Sequence, residues 1–95
     1  MVVLTAIFQA VEGKGDDIER EFKKLAPKVL RDPGAITYTI HRAVDNPNKF
    51  LVYEQYESQD AFKYHQQTEH FKAYRQATRG MFVGQTEITF YNKVA

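Results

Sequence analysis

Glu54, His65 and His70 are the residues of this chain whose types suit acid–base chemistry. Glu54 stands in a period-two run with Phe50, Val52 and Tyr56, which puts a carboxylate on an otherwise apolar strand face. Burial raises a carboxyl pKa unless a partner compensates, so Glu54 is a candidate general acid or base. Its alternative role is a structural pair with Arg or Lys at the edge of the sheet. Histidine is the usual proton carrier near neutral pH. His65 and His70 are five residues apart, whereas a spacing of four would set both on one face of an unbroken helix. A new helix starting at Thr68 would instead let both approach the mouth of one cavity. In the purely structural alternative, His65 bonds to backbone and His70 contacts a carboxylate. Tyr38, Tyr56, Phe71 and Tyr74 either line a pocket for a flat ring, their hydroxyls fixing its orientation, or pack as ordinary core. A set of His41, Glu54, His65 and His70 matches no recognised metal spacing such as H-E-x-x-H, so no metal site is expected. No G-x-G-x-x-G or phosphate loop occurs, hence no nucleotide-cofactor motif, and there is no G-x-S-x-G or cysteine nucleophile.

Composition narrows the class further. The 95 residues are 43% hydrophobic and 26% charged, which suits one globular domain over residues 1–95. There is no Cys, so no disulfide framework or thiolate metal site is available, and a cytoplasmic location is expected. The 13 Lys and Arg nearly cancel the 12 Asp and Glu, which argues against nucleic acid as a partner. The apolar runs are too short to span a membrane, and Met1–Ala6 lacks the charged start of a signal peptide.

The elements that must position these residues follow from local pattern. Val2 to Val11 is nearly continuous apolar sequence before Gly13-Lys14-Gly15 and reads as a first strand. Asp16 and Glu19 have the form of an N-cap and its N3 partner, and Ile18, Phe22, Leu25 and Val29 then share one helical face. Pro27 is expected to kink or divide that helix, and Asp32-Pro33-Gly34 to end it in a turn. Ala35 to Val44 reads as a second strand with Ile36, Tyr38 and Ile40 on one face. Lys49 to Glu57 is the third. Ser58 and Thr68 are caps for two short helices, the later one carried to Gly80 or Gly84. Thr86 to Val94 is the last strand.

The order β-α-β-β-α-β is the ferredoxin-like α+β arrangement, with helices on one face of an antiparallel sheet. The helices cover one face only, yet strands 1 and 3 carry large apolar side chains on both. A second copy packed sheet to sheet, in a two-fold homodimer, would cover the other. The aromatic sheet does not suggest an RNA-binding domain of the same strand order, because Lys49–Tyr56 lacks the basic, glycine-containing pattern of that class.

The segment Glu54-Gln55-Tyr56-Glu57-Ser58, followed by Ala61-Phe62, His65, Thr68, His70-Phe71-Lys72 and Tyr74, resembles the central signature of the antibiotic biosynthesis monooxygenase superfamily. The Pro33-Gly34 turn into a strand bearing Tyr38 is similar to the same pattern. The resemblance implies a dimeric α+β barrel and, among its members, is greatest to the quinol-monooxygenase-like ones. It implies cofactor-independent oxidation of a small quinol, phenolic or polyketide-like aromatic by dioxygen. Glu54 or His65 would take the proton, with His70 as second acid–base group or oxyanion partner. Tyr38, Tyr56, Phe71 and Tyr74 would hold the ring. An isomerase or epimerase of this fold acting on a carbonyl compound, or a non-catalytic binding dimer, are the alternatives. Two departures count against haem degradation: strand 1 has no Asn, and Tyr74-Arg75 stands where that subgroup has its iron ligand.

Overall fold

Alternating apolar residues make Lys49–Tyr56, here β3, an inner strand of the sheet in the computed structural model, which describes all residues from Met1 to Ala95. Phe50, Val52, Glu54 and Tyr56 are buried on one face, while Leu51, Tyr53 and Gln55 are half-buried on the other. β1 (Val2–Gln9) runs antiparallel to β3, Val2 opposite Tyr56 and Gln9 opposite Lys49. Its other edge pairs with β4 (Glu87–Tyr91), and β2 (Ala35–Arg42) flanks β3. The helices α1 (Gly15–Val29), α2 (Gln59–Gln66) and α3 (Glu69–Ala77) complete a sheet of order β2-β3-β1-β4. This is the expected ferredoxin-like α+β fold, with the second helical region in two pieces. No helix is long and apolar enough to cross a membrane.

α1 docks through the predicted row Ile18, Phe22, Leu25 and Val29, each at most 2% exposed, against Ala6, Phe50 and Val52. Each such side chain contributes about 1.5–3 kcal/mol on burial, so this row fixes the helix to the sheet. The start of α1 differs from the sequence expectation. Asp16 is not its cap: Lys14 holds that position with no side-chain bond, and Asp16 Oδ1 accepts from Arg42 Nη1 at 2.9 Å. Arg42 captures it because its guanidinium is already fixed, donating to the Pro47 carbonyl at 2.7 Å and lying over the Phe50 ring. A Cβ on Gly15 would run into that guanidinium and that carbonyl, so glycine opens the helix. Nor does Pro27 divide α1, which continues to Val29. The backbone bond that Pro27 cannot donate falls in the last turns, where Lys23 and Pro27 both face solvent.

Other details of the strands and of α3 also shift. Ala35 pairs with Tyr56 and Thr37 with Gln55, so Ile36 is the extra residue of a bulge, 44% exposed rather than aligned with Tyr38. β1 ends at Gln9 and β4 spans only Glu87–Tyr91. α3 ends at Ala77 with Thr78 as C-cap, short of Gly80 and Gly84.

The α2–α3 junction is set by two predicted caps. Ser58 Oγ accepts from the Ala61 amide at 3.2 Å. Thr68 Oγ1 accepts from the Phe71 amide at 3.2 Å while its hydroxyl donates to the His65 carbonyl at 2.9 Å. One buried threonine thus ends one helix and starts the next, and the His65 and Phe71 rings meet at 4.6 Å between centroids. Thr68→Ala should cost about 1 kcal/mol or more through loss of the cap. Thr68→Ser should restore most of it. Chemical denaturation of the two variants checks this, and an unchanged midpoint for the alanine variant would contradict the role.

Candidate active site

The helix-facing side of the sheet and the α2–α3 pair enclose a cleft of about 470 Å³, a size typical of small-molecule sites. Leu4, Ala6 and Phe8 of β1 form an apolar floor, with Phe62 and Phe71 on the helical side. Into this space β3 brings Glu54, β2 brings Tyr38, α2 brings His65 and α3 brings Tyr74. The period of two in β3 forces Glu54 onto the same buried face as Val52 and Tyr56, and the residue is only 6% exposed.

Burial pushes the Glu54 carboxyl from its usual 4.5 up to about 7, although the hydrogen bond from Tyr56 Oη to Glu54 Oε1, 2.7 Å long, pulls it down. The same burial moves His65 in the opposite sense, from 6.5 down to about 4, with Asp32 opposing the drop. His65 is therefore a neutral imidazole at pH 7. Its Nε2 stands 3.9 Å from Glu54 Oε1 and its Nδ1 3.9 Å from Asp32 Oδ2. Nδ1 makes no hydrogen bond. Tyr74 Oη is also buried and makes no hydrogen bond, while the neighbouring Thr78 hydroxyl donates to the Tyr74 carbonyl. Burial raises the Tyr38, Tyr56 and Tyr74 hydroxyls above the ordinary phenol range, so all three are neutral donors.

Of the residues singled out from sequence, Glu54, His65, Tyr38, Phe71 and Tyr74 line one cleft. His70 and Tyr56 do not. His70 Nε2 lies 2.9 Å from Asp32 Oδ2, behind the cleft, where the geometry is the carboxylate contact of its structural alternative. Tyr56 is fully buried between the Phe62 and His65 rings, its hydroxyl directed to Glu54. His41 sits on the opposite face of the sheet, against Thr39.

The profile of the antibiotic biosynthesis monooxygenase family matches residues 1–77 of the chain. The chain belongs to this family. Solved structures agree over the whole fold. A Nitrosomonas europaea protein named for the same family superposes with a TM-score of 0.95 at 19% identity, covering 100% of both chains. A Caulobacter crescentus protein likewise named superposes at 0.90 with 29% identity, covering 99% of this chain and 90% of its own. PA3566 from Pseudomonas aeruginosa gives 0.91 at 24% identity over 99% and 94%. No curated protein matches the chain. The family profile spans β1 through α3 and so includes every cleft residue except those from Thr78 onward.

Sequence reasoning treated Asp32 only as part of a turn. In this monooxygenase-family fold it is a buried carboxyl facing both His65 and His70. The signal was faint: a polar residue following the apolar end of α1, with its partners over thirty positions away. Arg75 and Arg79, which also line the cleft, were not singled out from sequence either. Their spacing, four residues apart and in step with Phe71, was readable.

The raised Glu54 pKa has a consequence for stability. Between pH 4.5 and about 7 the unfolded chain releases this proton while the folded chain keeps it, so rising pH removes stability. His65 acts in reverse, losing stability as pH falls from 6.5 through about 4, but it is present in wild type and in Glu54→Gln alike. The melting temperature of Glu54→Gln minus that of wild type should therefore grow from pH 5 to pH 8, by the equivalent of about 2.5 kcal/mol. Melting curves across this range check it, and a difference independent of pH would contradict the burial argument.

Proposed function

We propose that this protein is a cofactor-independent monooxygenase of small quinols or phenolic aromatics, with Glu54 as the base. The observation that carries the reading is the convergence of Glu54, neutral His65 and the unpartnered Tyr74 hydroxyl on one aromatic-walled cleft. An electron-rich phenolate reduces dioxygen directly, so the protein must deprotonate the ring, hold it and exclude water. One oxygen atom enters a ring carbon and the other leaves as water. The quinol supplies all four electrons and departs as a hydroxyquinone.

The choice of base follows from magnitudes. A phenol near pKa 10 gives its proton to Glu54 at a cost of about 4 kcal/mol, against about 8 kcal/mol for His65. Glu54 is the better acceptor. Tyr74 Oη has a free donor to stabilise the phenolate oxygen, and Tyr38 and Phe71 bracket the ring. His65 packs beside the carboxylate, while His70 and Tyr56 support Asp32 and Glu54 from behind.

The reading includes a homodimer. Val3, Ile7, Leu51, Tyr53 and Tyr91 share the sheet face that no helix covers, and a second copy is the occupant the proposal assigns to it. Sedimentation at micromolar concentration should give about twice 11.0 kDa. A compact monomer there would remove the dimer from the proposal. A chain without Cys suits a reducing, cytoplasmic setting.

Purified protein free of metal and flavin should consume oxygen with hydroquinone, faster as pH rises through about 7. Glu54→Gln should lower turnover roughly 10²–10⁴-fold. Tyr74→Phe should lower it by about 10² or more, yet leave the protein as stable or more so, because the hydroxyl removed has no partner. Full activity in both variants would overturn the assigned roles. No oxygen uptake with any quinol, together with proton exchange on a carbonyl substrate, would replace the oxygenase reading with an isomerase.

A further inference from the structure

Phe71, Tyr74, Arg75, Thr78 and Arg79 all line the cleft from α3 and its C-terminal end. Phe71, Tyr74 and Thr78 form its inner, largely buried edge, and Arg75 and Arg79 its exposed outer edge. Arg75 lies in the last turn of α3 and Arg79 four residues on, just past the C-cap Thr78, so two like charges stand at one end of the helix. Neither has a carboxylate within ion-pairing distance, a state shared with Arg31 away from the cleft, whereas Arg20 and Arg42 are paired and Lys72 reaches Glu69 at 3.6 Å. The helix macrodipole favours cations near a C-terminus, but it does not require them to border a cavity. Lys72 and Gln76 continue the same edge into an adjoining shallow groove with no apolar lining. Within the cleft the one acidic side chain is Glu54, on the opposite wall.

We propose that the cleft takes an aromatic carrying an oxyanion substituent, the ring lying against Phe71 and Tyr74 and the anion held at the rim by Arg75 and Arg79. The aromatic part of this assignment rests on the oxygenase reading; the anion part rests on the arginines alone. The geometry fits a short substituent, because one helical turn separates Phe71 from Arg75 by about 6 Å along the axis. Guanidiniums match carboxylate and other planar oxyanions with paired N–H donors. An anion at the rim also stays clear of Glu54, whose burial already holds it near neutrality.

The test is anaerobic calorimetry with 2,5-dihydroxybenzoate and with its methyl ester, which present the same ring with and without the charge. The acid should bind the wild-type protein at least tenfold more tightly than the ester, and the preference should shrink as salt is raised. The Arg75→Gln, Arg79→Gln double variant should bind acid and ester alike. Both positions are exposed, so folding should survive, and the salt series on wild type gives an answer independent of the variant. Equal binding of acid and ester, binding of neither, or a preference that persists in the double variant would overturn the proposal. An acid preference without oxygen uptake would sustain this site and defeat the oxygenase reading. Oxygen uptake without an acid preference would do the reverse.

Discussion

A carboxyl group on the buried face of a central strand is the constraint around which this site is organised. Glu54 occupies a position that its neighbours on β3 fill with Phe50, Val52 and Tyr56. Leaving it charged and unpartnered there would cost several kcal/mol. The fold answers with one short hydrogen bond from Tyr56 and with a pKa near neutrality, not with a cation. No Lys or Arg contacts Glu54, so the structural ion pair that was the alternative reading is absent. His65 follows from the same environment. Enclosed by the rings of Tyr38, Tyr56 and Phe71, it is neutral where an exposed histidine would be partly charged. The result is a carboxyl and an imidazole exchanged in proton affinity relative to water.

The elements that carry this arrangement were legible because each is marked by periodicity. The alternation in β3 put Glu54 with the core, and the row from Ile18 to Val29 gave α1 its buried face. Thr68, three residues after His65, announced a new helix. What escaped depends on contacts between distant segments. Asp16 has the residue type of a cap, but Arg42 from β2 takes its carboxylate, and that pairing spans twenty-six positions. Ile36 matches the alternation of β2, but a bulge after Gly34 turns it outward. Gly34 has φ +80° and a Cβ there would meet Ala61, a constraint of packing against α2. His70 and Asp32 are joined across thirty-eight positions, so sequence offered only the generic expectation that His70 meets some carboxylate.

The fold and the chemistry rest on different kinds of support. A relative only 19% identical superposes closely over the whole chain, which establishes how the backbone runs. The acid–base assignment comes from this chain's own side chains: the depth of Glu54, the unbonded hydroxyl of Tyr74, and the junction at Thr68 that brings His65 onto Phe71. The same junction starts α3 in the orientation that sends Tyr74 inward and leaves Arg75 and Arg79 along the cleft rim. A single capping threonine thus links the depth of the cleft to its mouth.

The central claim is that Glu54 titrates near neutrality inside the folded protein. Carboxyl-carbon NMR on glutamate-labelled protein, with Glu54→Gln to assign the resonance, measures this directly. A midpoint of about 7 is the predicted result. A midpoint near the ordinary 4.5 would mean that water or a cation compensates the charge, and Glu54 would no longer be matched to taking a proton from a phenol.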